Sequence, residues 1–209
     1  MKRREFLKTA GFSLMGMAAL CLGCGTSTAT PANASSNAAA QQEAPAIPSL
    51  YEKKILIAYF SWSGNTKTVA EAIHKQTGGE LLPIIPSNPY PASYNATLDR
   101  ARKEQQSNAR PAITTSLSDL SQYDIIFLGY PNWCGSYPMA IATFAEKFNW
   151  QGKVVAPFFT HGTGGVQLCQ RDLTQLLPNA SFTPYLAMYG SDVRNADKET
   201  AQWLRQLKL

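Results

Sequence analysis

From Lys54 onward, unbroken apolar runs alternate with stretches in which apolar residues recur every three or four positions. The runs predict strands over Lys54–Phe60, Glu80–Ile85, Asp124–Gly129, Val154–Thr160 and Phe182–Tyr189. "DIIFLGY" and "VVAPFF" do not alternate with polar residues, as expected of strands buried on both faces of a parallel sheet. The periodic stretches predict helices over Thr66–Gln76, about Ala92–Asn108, Pro138–Phe148, Gly165–Leu177 and Asn195–Leu207. Pro138 suits the first turn of its helix and Gly78 the end of the first one. The last helix carries an apolar edge at Ala201, Leu204 and Leu207. The second is apolar only at Tyr94, Leu98 and Ala101, which reads as a solvated crossover. Five strand–helix units in series imply an α/β doubly wound three-layer sandwich with a five-stranded parallel sheet. Its connections are right-handed, and ligands bind beyond the carboxyl ends of the strands.

Three predicted strands end in conspicuous turns at that edge. After the first comes "SWSGNT". Ser, Asn and Thr are ordinary helix N-caps and Gly an ordinary turn residue, so one such junction alone says little. Here Ser61, Ser63, Gly64, Asn65 and Thr66 crowd four side-chain donors and a permissive backbone ahead of a helix. Helix N-termini present free N–H groups and partial positive charge, so the segment reads as an anion socket. It lacks the Gly-Lys-Ser/Thr ending of a nucleotide-triphosphate loop, which favours a monophosphate. "YPNWCGSYP" after the third strand offers aromatic surface, and "THGTGG" after the fourth offers glycine backbone. Together the turns describe a site for a flat aromatic ligand with a phosphorylated tail.

Composition changes the picture mainly at the front of the chain. "MKRREFLKTAGFSLMGMAALCLGC" has a basic start and an apolar stretch too short to span a bilayer comfortably, so residues 1–24 read as an export signal. Arg3-Arg4 followed by Glu5-Phe6-Leu7-Lys8 resembles the twin-arginine type. Cys24 resembles a lipoprotein processing site, although Cys21 stands where that pattern prefers leucine; lipidation is left open. Residues 25–50, rich in Ala, Ser, Thr, Asn, Pro and Gln, read as a flexible linker. Residues 51–209 form the folding unit. Four of the 19 basic and two of the 14 acidic residues precede Tyr51, leaving that unit about +3. Its charges are scattered, which argues against nucleic-acid binding. Any membrane contact is expected only through the signal or a lipid at Cys24. Outside the signal only Cys134 and Cys169 remain of the four cysteines, which make neither a disulfide framework nor a metal cluster. The two histidines, His74 and His161, have no metal-ligand spacing.

"SWSGNT", "GYPNWCG" and "THGTGG", in this order at these strand ends, resemble the flavodoxin family over roughly Lys53–Leu209. The resemblance implies strand order 2-1-3-4-5 and non-covalently bound FMN. It places Ser61, Trp62, Ser63, Gly64, Asn65 and Thr66 around the phosphate. Pro131, Asn132, Trp133, Cys134 and Gly135 fall on one side of the ring, and Thr160, His161, Gly162, Thr163, Gly164 and Gly165 on the other. Gly135 is the position of its loop free to take positive φ. Cys134 stands where many relatives carry an aromatic residue, so stacking is expected to rest on Trp133. The loop Tyr130–Tyr137 contains no carboxylate, and no acid–base or nucleophilic residue is implied. The expected function is an exported FMN electron carrier, periplasmic or held at the outer face of the cytoplasmic membrane, serving redox partner proteins or small electron acceptors. The alternatives are an FMN-dependent NAD(P)H:quinone-type reductase and a cofactor-free binding module of the same fold.

Overall fold

The computed structural model describes Leu50, residues 52–207 and Leu209. The expected export signal, Cys24 and the linker up to residue 49 lie outside the described residues. Leu50, assigned to the linker by composition, is buried in the core on the face that also holds Leu207.

The strands are β1 (Ile55–Tyr59), β2 (Glu80–Pro83), β3 (Ile125–Pro131), β4 (Val154–His161), β5 (Ser181–Phe182) and β6 (Leu186–Tyr189). The helices are α1 (Asn65–Thr77), α2 (Tyr94–Gln106), α3 (Met139–Ala145), α4 (Cys169–Leu176) and α5 (Ala196–Gln206), with a 3-10 helix at Gly190–Asn195. All strand pairs are parallel, in the order β2-β1-β3-β4-β5, with β6 also paired to β4. This is the doubly wound arrangement expected. The fifth strand, however, is broken into β5 and β6. Between them Pro184 has no N–H to give a ladder, and its carbonyl accepts the Trp203 indole N–H at 3.0 Å instead.

Both faces of the sheet are covered, so neither central strand can alternate polar with apolar. Leu56, Ala58, Ile126, Leu128, Tyr130, Val155 and Phe159 pack under α2, α3 and α4. Ile57, Tyr59, Ile125, Phe127, Ala156 and Phe158 pack under α1 and α5. Where two faces meet a flat strand, close approach decides residue size. At Gly129 a Cβ would lie 2.0 Å from the Phe158 ring, so only glycine fits there.

The helix ends differ from expectation for local reasons. Pro138 sits at the N-cap of α3 in extended conformation rather than inside its first turn. The expected start of α4 at Gly165 moves to Cys169, because Gly165 and Gln167 take left-handed φ of 66° and 47°. The buried face of α5 runs through Ala196, Thr200, Trp203 and Leu204; Ala201 is only half-buried.

Candidate functional site

At the carboxyl edge of the sheet the strand-end loops enclose a cleft of about 330 Å³. Trp62, Ser63 and Asn65 line it from the first loop, Pro131, Asn132 and Trp133 from the second, and Thr160, His161 and Gly162 from the third. Two walls were missed. Tyr94, Thr97 and Leu98 come from α2, so the helix read as a solvated crossover supplies a side of the site. Tyr189, Gly190 and Ser191 come from the end of β6. The sequence signal for them was a fourth turn, "YGSD", after the last strand. None of the lining residues is Asp, Glu, Lys or Arg.

The remaining sequence-predicted residues stand behind or beside the cleft. Thr66 is buried, and its hydroxyl shares a 2.8 Å hydrogen bond with that of Thr160. This bond ties the first loop to the third. Whichever hydroxyl accepts keeps its own hydrogen to donate elsewhere. Gly64 occupies the N-cap of α1 at φ 93°, and no side chain caps that helix. Ordinarily a Ser, Thr or Asn at this position would absorb one of the first-turn N–H groups. Glycine leaves them available to an external anion. Ser61 completes the picture: its Oγ is buried and has no hydrogen-bond partner in the protein. A buried hydroxyl without a partner costs free energy, which a bound acceptor would recover. The segment expected to act as an anion socket thus presents an uncapped helix start and neutral hydroxyl and amide groups.

Asn132 bridges the other two loops. Its backbone N–H donates to the Thr160 carbonyl at 2.7 Å and its side-chain Nδ2 donates to the Gly165 carbonyl. Its Oδ1 is buried without a partner, a second orphaned polar atom and in this case an acceptor. Gly165 thus acts through its carbonyl, from behind the wall. Thr163 and Gly164 are exposed and outside the cleft lining. His161 donates from Nδ1 to the Gly162 carbonyl at 2.8 Å, which leaves Nε2 as an acceptor in the neutral ring.

The aromatic surface is not where the motif suggested. Trp133 is 6% exposed and packs edge-on against Phe60, Tyr90 and Trp62, at centroid distances of 5.2, 4.8 and 6.4 Å. It belongs chiefly to the core. Trp62 turns toward α2, with its indole N–H on the Pro91 carbonyl at 2.9 Å and its ring 6.4 Å from Tyr94. Tyr94 and Tyr189 are the large aromatics left exposed at the cleft, and Tyr189 meets His161 edge-on at 5.8 Å. The aromatic lining of the cleft is therefore shared by Trp62, Tyr94 and Tyr189 with Trp133.

Cys134 and Gly135 do not line the cleft. They form the tip of a hairpin closed by hydrogen bonds in both directions between Trp133 and Ser136, with φ of 51° and 91°. Two left-handed residues make a type I′ turn. Cys134, and not glycine alone, therefore adopts positive φ. Cys134 and Cys169 are both free, the first exposed and the second buried. Burial, helped by the Asp172 carboxylate, pushes the Cys169 thiol up to about 12. That thiol is a packing group. Burial likewise raises the Tyr130 phenol, whose hydroxyl donates to the Cys169 carbonyl at 3.0 Å.

Such a cleft at the carboxyl edge of a 2-1-3-4-5 sheet, with an uncapped helix beneath it, is the arrangement of flavodoxin-like proteins. A family model described as Flavodoxin matches residues 54–207, and the chain belongs to the flavodoxin family. Among solved structures, a protein of Bacteroides eggerthii DSM 20697 provisionally described as a flavoprotein is 30% identical, with TM-score 0.63 over 75% of this chain and 99% of that one. One from Bacteroides uniformis ATCC 8492, described in the same way, is 28% identical, with TM-score 0.65 over 74% and 99%. A flavoprotein of Lactobacillus acidophilus NCFM, crystallised in complex with FMN, is 30% identical, with TM-score 0.59 over 68% and 97%.

Proposed function

We propose that this chain binds FMN in the cleft and transfers electrons outside the cytoplasm, to redox partner proteins or small electron acceptors. The observation that carries the reading is the buried, partnerless Ser61 hydroxyl beside the uncapped α1 N-terminus. The residues present fit the cofactor. Ser61, Ser63, Asn65, the Thr66–Thr160 hydroxyl pair and the first-turn N–H groups would hold its phosphate with neutral donors and the helix dipole. Asn132 Oδ1 would accept an N–H from the ring edge. Trp62, Tyr94 and Tyr189 would provide apolar faces and shield the ring from water. When bound, FMN supplies the redox chemistry, and the protein supplies binding, orientation and electrostatics. No nucleophile or general acid is required of the chain.

The absorption spectrum of protein purified from the cytoplasm tests the first part. Flavin bands are expected, and the extracted flavin is expected to be FMN. Recovery of FAD, or of no flavin even after reconstitution, would refute it. A redox titration tests the second: two separate one-electron steps support a carrier. A single two-electron step with rapid turnover of a nicotinamide donor makes the chain a reductase. Export follows from the Arg3-Arg4 pair, because the twin-arginine route moves folded proteins and FMN is loaded in the cytoplasm. The double substitution Arg3→Lys, Arg4→Lys should hold the protein inside; unimpaired export would sink that part of the proposal.

A further inference from the structure

We infer that Asp172 is a positioning residue for the cleft: from α4 it holds the Trp133–Ser136 hairpin in place through the Ser136 hydroxyl. The inference rests on the cofactor-site reading above. Within the sequence the loop Tyr130–Tyr137 has no carboxylate, but the fold delivers one. Ser136 Oγ donates to Asp172 Oδ2 at 2.6 Å. The carboxylate is itself fixed. Its Oδ1 takes the neighbouring Arg171 guanidinium at 2.8 Å, its side chain is 19% exposed, and its backbone N–H donates to the Leu168 carbonyl at 2.8 Å.

The hairpin needs such a hold. Cys134 occupies a left-handed conformation that an L side chain adopts only at a cost, so its surroundings must over-determine it. Three ties do so. From α2, Gln105 Nε2 donates to the carbonyls of Trp133 and Tyr137 at 2.8 and 3.1 Å. From the approach to α4, the Leu168 N–H donates to the Gly135 carbonyl at 2.9 Å. The third is the Ser136–Asp172 bond, the one of the three that is charge-assisted and hence the strongest. Two of these ties spring from the start of α4, at its N-cap Leu168 and, one turn on, at Asp172. The Asn132 side chain grips Gly165 just upstream. Asn132 and Trp133 line the cleft, so the grip of α4 on the hairpin sets the wall that the ligand meets.

The test compares the full-length wild type with Ser136→Ala, which breaks the tie, and Ser136→Thr, which keeps a hydroxyl. In flavin-free protein, 15N order parameters of Cys134, Gly135 and Ser136 should fall in Ser136→Ala from the rigid value of about 0.85 to below about 0.6. Those of Ile126 and Leu128 in β3 should not move, and Ser136→Thr should restore the hairpin. The FMN dissociation constant should rise several-fold, up to about tenfold, in Ser136→Ala, because binding must then order a hairpin that the bond no longer holds, and recover in Ser136→Thr. Unchanged order parameters overturn the inference, as does a loosened hairpin with unchanged FMN affinity. A uniform loss of order through β3 overturns it too, because the role would then be general stability. The relaxation measurement needs no flavin. A wild type that never binds FMN therefore sinks the proposed function, whereas tight FMN binding by a loosened or unaltered Ser136→Ala sinks only the role of Asp172.

Discussion

Ser61→Ala separates the socket from ordinary helix capping, because its effect should change sign when ligand is bound. In the flavin-free protein the Ser61 hydroxyl is buried without a partner. Leaving such a group unsatisfied costs about 1–3 kcal/mol, and an apolar replacement of similar shape removes that cost. The alanine variant should thus be more stable without flavin. For a domain of this size each 1 kcal/mol moves the melting temperature by about 2–4 °C, so a rise of a few degrees is expected. With FMN the same hydroxyl would donate to a charged phosphate. Losing a hydrogen bond to a charged group costs about 1.5–3 kcal/mol, which weakens the dissociation constant roughly 10- to 150-fold. Thermal melts with and without FMN, together with a fluorescence titration of the flavin, read both halves. A flavin-free melting temperature that falls, with FMN affinity unchanged, would show that the hydroxyl serves the protein and would refute the reasoning.

Other consequences are equally direct. Gly129→Ala places a Cβ 2.0 Å from the Phe158 ring across two central strands, and overpacking of this kind costs about 1–3 kcal/mol; a denaturant midpoint no lower than that of the wild type would contradict the packing. Cys134 should react with a thiol reagent within minutes at pH 8. Cys169, raised to about 12 by burial, should react only as fast as the domain unfolds, and Cys134→Ser should remove the fast phase from the folded unit. Since no Lys or Arg lines the cleft, raising salt from 0.05 to about 0.5 M should change FMN affinity less than about threefold, as screening acts on the helix N-terminus alone; a steep salt dependence would place a cation on the phosphate.

The order of elements and the edge of the sheet that holds the site were legible in the sequence, because both rest on short-range patterns. Doubly buried strands write themselves as apolar runs, and "SWSGNT", "YPNWCG" and "THGTGG" each end one of them. The uncapped start of α1 was legible for the same reason, since Ser61, Gly64 and Asn65 are neighbours in the chain. What faces each turn across space was not. Trp133 reads as a ligand-facing aromatic in its Pro-Asn-Cys-Gly setting, yet Phe60, Tyr90 and Trp62 arrive from other elements to cover it. Tyr94 looked like one of three stray apolar residues on a solvated helix until α2 was docked along the cleft. Asp172 lies 36 residues beyond Ser136, so its carboxylate joins a loop that has none of its own only through the packing of α4. Local sequence decides which backbone groups a strand end leaves unpaired. Side-chain exposure and charge depend on contacts between distant segments, and those exist only once the two faces of the sheet have been packed.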